Sequence, residues 1–268
     1  MPNHVTNEVT FSGDENSIKL LLVAVKSKNK VDLFSINSFY PMPIKLEGTC
    51  SPAKIITEAE MKVWKDKLAK GELNQWEQDY HPITLKMQRD YIKRFGTDNW
   101  YNWKVQNWGT KWDVYDVSEI EGGFSFDTAW ATPYNALVRL STLFPDVEIN
   151  VRYADEDFGS NVGTYKLVSG LTIEEYAPEF GIESLRLAGD IKGDYYFKEG
   201  LSFVDEENIN EHTTNCIRIA HENGYLIDDY PMAVLGLLFD MAVDDEQYER
   251  AKEIKNLQKK TLDKLVDN

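Results

Sequence analysis

The stretch TPYNALVRLSTLFPDVEINVRY, residues 132–153, places a helix directly before a β-strand. Thr132 and Pro133 are typical of a helix start, because threonine caps free backbone donors and proline fits the first helical turn. Apolar side chains then recur at helical spacing, at Ala136, Leu137, Leu140 and Leu143. After Pro145 they alternate strictly, at Val147, Ile149, Val151 and Tyr153. The stretch therefore predicts a helix followed by a strand with one buried face.

The same alternation occurs on both sides of this stretch. Residues 5–11 and 124–130 alternate apolar with polar side chains, and shorter strands are predicted at 31–36 and 163–168. Helical spacing of apolar residues predicts a further helix at 15–26. The resulting order is βαββαβ, the ferredoxin-like or split βαβ arrangement of an α+β protein. We expect one antiparallel sheet with both helices on the same face.

Two regions fall outside this pattern. Residues 51–99 predict helices, and we interpret them as a helical insertion within a ferredoxin-like core of residues 1–170. Residues 171–268 predict an acidic, mainly helical C-terminal extension. Helices are expected there at 208–223, 232–243 and 247–266.

The charge of the chain limits its partners. The 268 residues carry a net charge of −16, and residues 144–211 alone hold 5 basic and 16 acidic residues. Direct nucleic-acid binding is disfavoured, because acidic side chains repel phosphates, although a local basic patch in the first third remains open. No apolar run reaches the roughly 18–20 residues of a membrane helix. The N-terminus lacks a signal-peptide pattern, so we expect a cytoplasmic protein.

Aromatic residues concentrate in the neighbouring segments Asn99-Trp-Tyr-Asn-Trp103 and Asn107-Trp-Gly-Thr-Lys-Trp-Asp113. Indole rings stack on planar ligands, and asparagine and lysine supply directional donors, so one interpretation is a small-ligand pocket. The alternative is a tryptophan-rich loop that covers the open sheet face. The candidate ligand-binding residues are Trp103, Asn107, Trp108, Lys111, Trp112, Asp127, Trp130, Arg152 and Asn161.

Charged residues in the second half of the core leave several roles open. If Asp127 and Arg152 lie on adjoining strands, they could form a salt bridge or flank an anionic ligand. Asp155, Glu156 and Asp157 resemble a cation-binding loop in composition but lack the spacing of a calcium loop. A solvated acidic turn is one interpretation of these three residues. The other is a surface that binds a basic protein by imitating nucleic acid.

The chain lacks the motifs of metal and cofactor chemistry. His212 and Cys216 share one face of a predicted helix, but two ligands do not make a zinc site. No phosphate-binding glycine loop, dinucleotide fingerprint or nucleophile elbow occurs in the sequence. We predict no tightly bound transition metal, no cofactor and no catalytic residue. An enzyme that uses Asp127, Asp155 and Asp157 is kept as a third hypothesis.

Several motifs together resemble a known family. These are the two aromatic segments, Phe126-Asp-Thr-Ala-Trp130 with Pro133, Arg152-Tyr-Ala-Asp-Glu-Asp157 with Gly159, Asn161 and Gly163, and the opening Pro2-Asn-His-Val-Thr-Asn7. Over residues 1–50 and 95–170 the sequence resembles the YubB-type ferredoxin-like family of phages, prophages and plasmids. The resemblance implies a ferredoxin-like fold and a mobile-element origin. It implies no iron–sulfur cluster and no assigned activity.

The sequence therefore predicts an accessory binding protein that engages a host or defence component. In one version, the aromatic segment and the sheet face hold a small ligand such as a nucleotide signal. In the other, the acidic region 144–211 docks a basic host protein. The ligand, the host process and the oligomeric state have no signal in the sequence.

Overall fold

The computed structural model describes residues 3–27, 33–192, 232–244 and 247–266. Its strands and helices agree with an α+β protein. In chain order the elements are β1 (His4–Gly13), α1 (Glu15–Val25), α2 (Ile36–Phe39), β2 (Ile55–Ile56), α3 (Glu58–Lys70), α4 (Gln75–Asp79), β3 (Ile83–Thr84), α5 (Leu85–Phe95), α6 (Trp100–Trp108), β4 (Tyr115–Ile120), β5 (Gly123–Ala129), α7 (Tyr134–Leu143), β6 (Val147–Asp155), β7 (Val162–Val168), β8 (Leu171–Tyr176), α8 (Ile182–Lys192), α9 (Met232–Asp244) and α10 (Tyr248–Val266).

The main sheet has six strands in the order β4-β5-β1-β6-β7-β8. β5 pairs antiparallel with both β1 and β4. The first four strands of this order, together with α1 and α7, form the ferredoxin-like arrangement in which two βαβ halves interleave. The strands predicted at 5–11, 124–130 and 147–153 all lie in this one sheet, and the ferredoxin-like fold is confirmed.

The second strand of the core is not where the sequence placed it. Residues 31 and 32 lie outside the described residues, and Ile36 begins the short helix α2. β4 is the strand that completes the ferredoxin-like half, and it lies about eighty residues further along the chain. The prediction at 31–36 was wrong because Phe34 and Ile36 are buried as core side chains without pairing as a strand.

The register of β1 and β5 gives the sheet two different faces. Val5, Asn7 and Val9 lie opposite Thr128, Phe126 and Phe124, and all six are buried. The alternate positions, including Thr6 opposite Asp127 and Glu8 opposite Ser125, are only partly buried. Because side chains alternate along a strand, the first set forms an apolar face and the second a polar face. α1 and α7 each bury an apolar stripe, as helices on such an apolar face do.

The segment between α1 and β4 is a large insertion. It holds α2 to α6 and the two short parallel strands β2 and β3. α3 begins with a capping box, in which Thr57 and Glu60 bind each other's backbone N–H groups, and it ends at Gly71. The predicted helical insertion at 51–99 lies inside this longer segment.

The chain forms two compact units. The first contains residues 1–151 and 165–175, and the second contains residues 152–164 and 176–268. The boundary predicted at residue 170 falls in the turn between β7 and β8. The buried apolar core of the second unit consists of Ala154, Phe158, Val162, Leu185, Ala188, Ile191, Leu235, Leu238, Ala242, Ala251 and Ile254.

The helices predicted at 232–243 and 247–266 correspond to α9 and α10. The helix predicted at 208–223, with His212 and Cys216, lies outside the described residues. Among the helices that the structure describes, none is both long and apolar enough to cross a membrane.

Candidate functional site

The first aromatic segment and the start of the second form the helix α6, Trp100–Trp108. Asn99 caps its start, because the Asn99 side chain accepts a hydrogen bond from the N–H of Asn102. Gly109 ends it in the left-handed region at φ 84°, a conformation that favours glycine. The helix α6 therefore turns its tryptophans in different directions, and each has its own environment.

Two of the candidate tryptophans belong to the core. Trp103 and Trp108 are 5% and 1% exposed, and their ring centroids lie 5.9 Å apart. The Trp108 Nε1–H donates to the backbone oxygen of Tyr40 over 2.9 Å. Asn107 accepts from the Tyr40 hydroxyl over 2.7 Å. These hydrogen bonds fix the backbone and side chain of Tyr40. Because both indoles are buried, neither offers a face on which a ligand could stack.

Lys104 lies between two indole rings of the same helix. Its Nζ is 4.7 Å from the centroid of Trp108 and 5.4 Å from that of Trp100, one helical turn away on either side. Burial lowers the pKa of Lys104, while the charges of Asp113 and Glu47 act in the opposite direction. The partly buried ammonium is thus stabilised by aromatic faces in addition to carboxylates.

Lys111 makes a second contact of this kind at a more open position. Its Nζ lies 4.6 Å from the ring centroid of Trp112 and 5.0 Å from that of Trp130. Tyr101 packs edge-on against Trp130, and Tyr115 packs edge-on against Trp112. We call these five residues the Lys111 cluster. Among the residues that the structure describes, no carboxylate lies within ion-pair distance of Lys111.

Trp130 holds a backbone conformation that is unusual for its type. Its φ is 70°, in the left-handed region, while the side chain is 42% exposed. Among the described residues, the other non-glycine residues with positive φ are Asp116, Asn161 and Ser169, which are small and polar. For a bulky residue this conformation costs roughly 1–2 kcal/mol. The Trp130 N–H donates to the backbone oxygen of Asn3 over 2.9 Å, which ties the strained residue to the start of β1.

The Lys111 cluster lies at one end of the polar sheet face. The Tyr115 hydroxyl is 2.8 Å from Nδ1 of His4, and the two rings pack edge-on. Asp127 lies opposite both Tyr115 on β4 and Thr6 on β1. A carboxylate at this position adds a hydrogen-bond acceptor next to Tyr115 on the polar face.

Asp113 holds the neighbouring chain in place. Its Oδ1 accepts from the N–H groups of Ile36 and Val114 over 2.7 and 2.9 Å, and its Oδ2 accepts from the Ser35 hydroxyl over 2.7 Å. The carboxylate thereby caps α2 and fixes the residue that follows Lys111 and Trp112.

Asp113→Ala is expected to lower the free energy of unfolding by roughly 1.5–3 kcal/mol, the range for hydrogen bonds to a charged group. Urea denaturation monitored by circular dichroism measures this change. Asp66→Ala, at an exposed position of α3, is the matched control and should leave the midpoint unchanged. Equal midpoints for the two variants would show that Asp113 does not anchor α2.

The charged candidates Asp127 and Arg152 were expected to lie side by side. Asp127 and Arg152 are not on adjoining strands, because β1 lies between β5 and β6 in the sheet. Arg152 and Asn161 belong to the second compact unit. The hypothesis of a direct pair on neighbouring strands is therefore wrong.

Asp155 is not the exposed docking residue that the sequence suggested. It is 4% exposed, and its carboxylate accepts from the Asp157 N–H over 3.0 Å and from Asn161 Nδ2 over 2.8 Å. The side chain closes the turn between β6 and β7. Glu156 is half-buried and Asp157 is exposed. Within the described parts of the chain, His, Cys, Asp and Glu side chains form no cluster of three that could hold a metal ion.

Sequence reasoning missed His4, Tyr101 and Tyr115 as parts of the site. His4 opens the alternation of β1, so its side chain could have been assigned to the polar face with Thr6 and Glu8. Tyr101 had the signal of lying in the aromatic segment. Nothing in the sequence indicates that Tyr115 contacts His4, because β5 lies between their strands β4 and β1 in the sheet.

Comparison with known proteins supports the fold. The model of a family described as "Ferredoxin-like domain in Api92-like protein" matches residues 107–193. The match supports the ferredoxin-like part of the resemblance and shows no link to the YubB-type family or to mobile elements. The crystal structure of protein api92 from Yersinia pseudotuberculosis aligns with 68% of this chain and 100% of its own length, at 11% identity and a TM-score of 0.36. A likeness this weak carries no argument. Comparison with curated proteins gave no match. Residues 107–193 are thus similar to the ferredoxin-like domain of Api92-like proteins.

Proposed function

We propose that this protein is a binding protein whose Lys111 cluster holds a small ligand with a planar ring and an anionic group, such as a nucleotide. The observation that carries the proposal is Trp130, which is exposed and strained beside an ammonium that lies over its ring. Strained residues persist where the surrounding structure holds them, and they are frequent at ligand sites.

The chemistry of the cluster favours a ring and an anion together. Exposed indole surface provides a stacking platform that every heteroaromatic ring can use. Lys111 has aromatic neighbours but no carboxylate partner among the described residues, so an anionic group of the ligand would supply its missing counter-charge. Asp127 offers an acceptor for a hydroxyl or amino group of the same ligand.

The wider role that we propose is that of an accessory protein of a phage or plasmid, which engages a host or defence component in the bacterial cytoplasm. This part rests on the sequence resemblance to a family carried by mobile elements. The alternative of an acidic mimic of nucleic acid has less support, because Asp155 is buried and bound within its own turn. No observation on the described residues favours an enzyme over a binding protein.

Calorimetric titration with adenosine monophosphate, adenosine and inorganic phosphate tests the ligand class. The nucleotide should bind more tightly than either part, since it engages the ring surface and the ammonium together. Trp130→Ala should weaken nucleotide and adenosine binding by roughly 1–3 kcal/mol, the range for loss of one stacked base. Lys111→Gln should weaken the nucleotide and phosphate but leave adenosine unchanged.

A matched control separates the site from general aromatic exposure. Trp76 is 57% exposed on α4, so Trp76→Ala removes an indole of similar exposure away from the Lys111 cluster. This variant should bind all three probes like the parent protein. If Trp130→Ala and Lys111→Gln also bind them unchanged, or if no probe binds the parent, the proposed site is refuted for this ligand class.

A further inference from the structure

Among the described residues, the helix α5 packs through the face that carries Tyr91 and Phe95. Thr84 caps its start by accepting from the N–H of Met87, and Gly96 ends it at φ 79°. Tyr91 is buried on the inner face, and its ring lies 5.9 Å from that of Phe95. At 100° per residue these inner positions leave the opposite face of the helix outward.

The outward face of α5 is basic in an otherwise acidic protein. Lys86, Arg89 and Lys93 follow each other at intervals of three and four residues, so they share one stripe, and all three are exposed. None of them has an ion-pair partner among the residues that the structure describes. The stripe therefore carries charge of the opposite sign to the net charge of the whole chain, which is −16.

The two flanks of this stripe differ. Leu85 and Ile92 lie two helical turns apart on one flank and are 51% and 50% exposed. On the other flank Asp90 and Arg94 form an ion pair of 2.7 Å and neutralise each other. The helix therefore presents a line of three cations beside two aliphatic side chains.

We infer that this outward face of α5, formed by Leu85, Lys86, Arg89, Ile92 and Lys93, docks an acidic amphipathic helix of a partner protein. Charge complementarity selects the partner: carboxylates would face the three cations, and aliphatic side chains would cover Leu85 and Ile92. The surface is separate from the Lys111 cluster and does not depend on the ligand proposed there.

Other anionic partners fit this face less well. Nucleic-acid binding gains its strength from many phosphate contacts, and a protein typically makes about 6–10 of them, whereas this stripe offers three cations. A membrane-surface helix needs a wide apolar face, and lipid-binding clusters carry about 4–8 basic residues.

Peptide selection on the full chain tests the inference. The probe is a displayed library of helical peptides with leucine on one face and Glu, Lys or Ser randomised at the flanking positions. We expect the selected peptides to be enriched in Glu over Lys. Their affinity should fall roughly tenfold when Lys86, Arg89 and Lys93 are all replaced by Glu, because three exposed charge pairs are then reversed. Leu85→Ser combined with Ile92→Ser should weaken them as well.

The control reverses the same number of charges elsewhere. Lys65, Lys67 and Lys70 are exposed on α3, and their replacement by Glu should leave peptide affinity within experimental error. Thermal melting should show that all variants stay folded, since every changed side chain is exposed. Equal losses for the two triple variants, or selection without a preference for Glu, would overturn the inference. So would α5-dependent binding of duplex DNA or of phosphatidylserine vesicles that exceeds the binding of the peptides.

Discussion

Trp108→Ala is expected to lower the free energy of unfolding by roughly 3–5 kcal/mol, the range for removing a buried large aromatic side chain. Trp108 is 1% exposed, packs edge-on against Trp103, and donates to the backbone oxygen of Tyr40. The alanine variant loses these contacts together and leaves that carbonyl without its partner. Chemical denaturation should show a midpoint far below that of the parent protein.

Trp130→Ala is the informative comparison, because both residues are tryptophans from the same aromatic region. Trp130 is 42% exposed, and its backbone is strained at φ 70°. Trp130→Ala should therefore lower the free energy of unfolding much less than Trp108→Ala does. The two variants thus separate an indole of the core from the indole that we propose as part of the ligand site. A Trp130→Ala protein that unfolds as readily as Trp108→Ala would place Trp130 in the core and remove the basis of the ligand proposal.

Most of the core strands could be predicted from the sequence because apolar and polar side chains alternate clearly along them. β1, β5 and β6 each have one face of apolar side chains, and all three were predicted. β4 was missed for a physical reason. Its residues YDVSEI are half-exposed edge positions, and its register with β5 shifts between Tyr115 and Ser118, so the pattern of one buried face is lost. The second core strand was therefore predicted at the apolar segment 31–36 instead.

The sequence located the segment that holds the candidate site, but composition alone could not separate its buried residues from those of the site. Trp103 and Trp108 turn inward while Lys111 and Trp112 follow the helix end at Gly109. Asn99 is a recognisable start signal and Gly109 a recognisable stop signal, so a helix at Trp100–Trp108 could have been predicted. Which side of α6 would be buried depends on the distant Tyr40, and the contribution of His4 depends on strand order. Such contacts have no local signal.

The second large effect is expected at Asn7, a polar residue on the apolar face of β1. Asn7 is fully buried, and its Nδ2 donates to the backbone oxygen of Val5 and to the Thr128 hydroxyl, each over 2.8 Å. No donor among the described residues reaches its Oδ1. Asn7→Asp replaces the donating group by an oxygen that faces the Val5 carbonyl. Loss of roughly 3–5 kcal/mol at neutral pH is expected, comparable to leaving a buried charge without its partner.

The pH dependence of that loss identifies its cause. Burial raises the pKa of the introduced carboxyl above its unfolded value of about 3.9. The folded state then binds a proton that the unfolded state has released, so the Asn7→Asp protein should lose stability as the pH rises through this window and regain part of it near pH 4. Urea midpoints for the variant and the parent, compared across pH, measure this change in stability.

The control variant is Thr10→Asp, on the polar face of the same strand opposite Gly123. It should lower the free energy of unfolding far less and show no recovery near pH 4. Equal effects at the two positions would mean that β1 does not separate an apolar from a polar face. Both the ferredoxin-like packing of α1 and α7 and the placement of His4 beside Tyr115 depend on that separation.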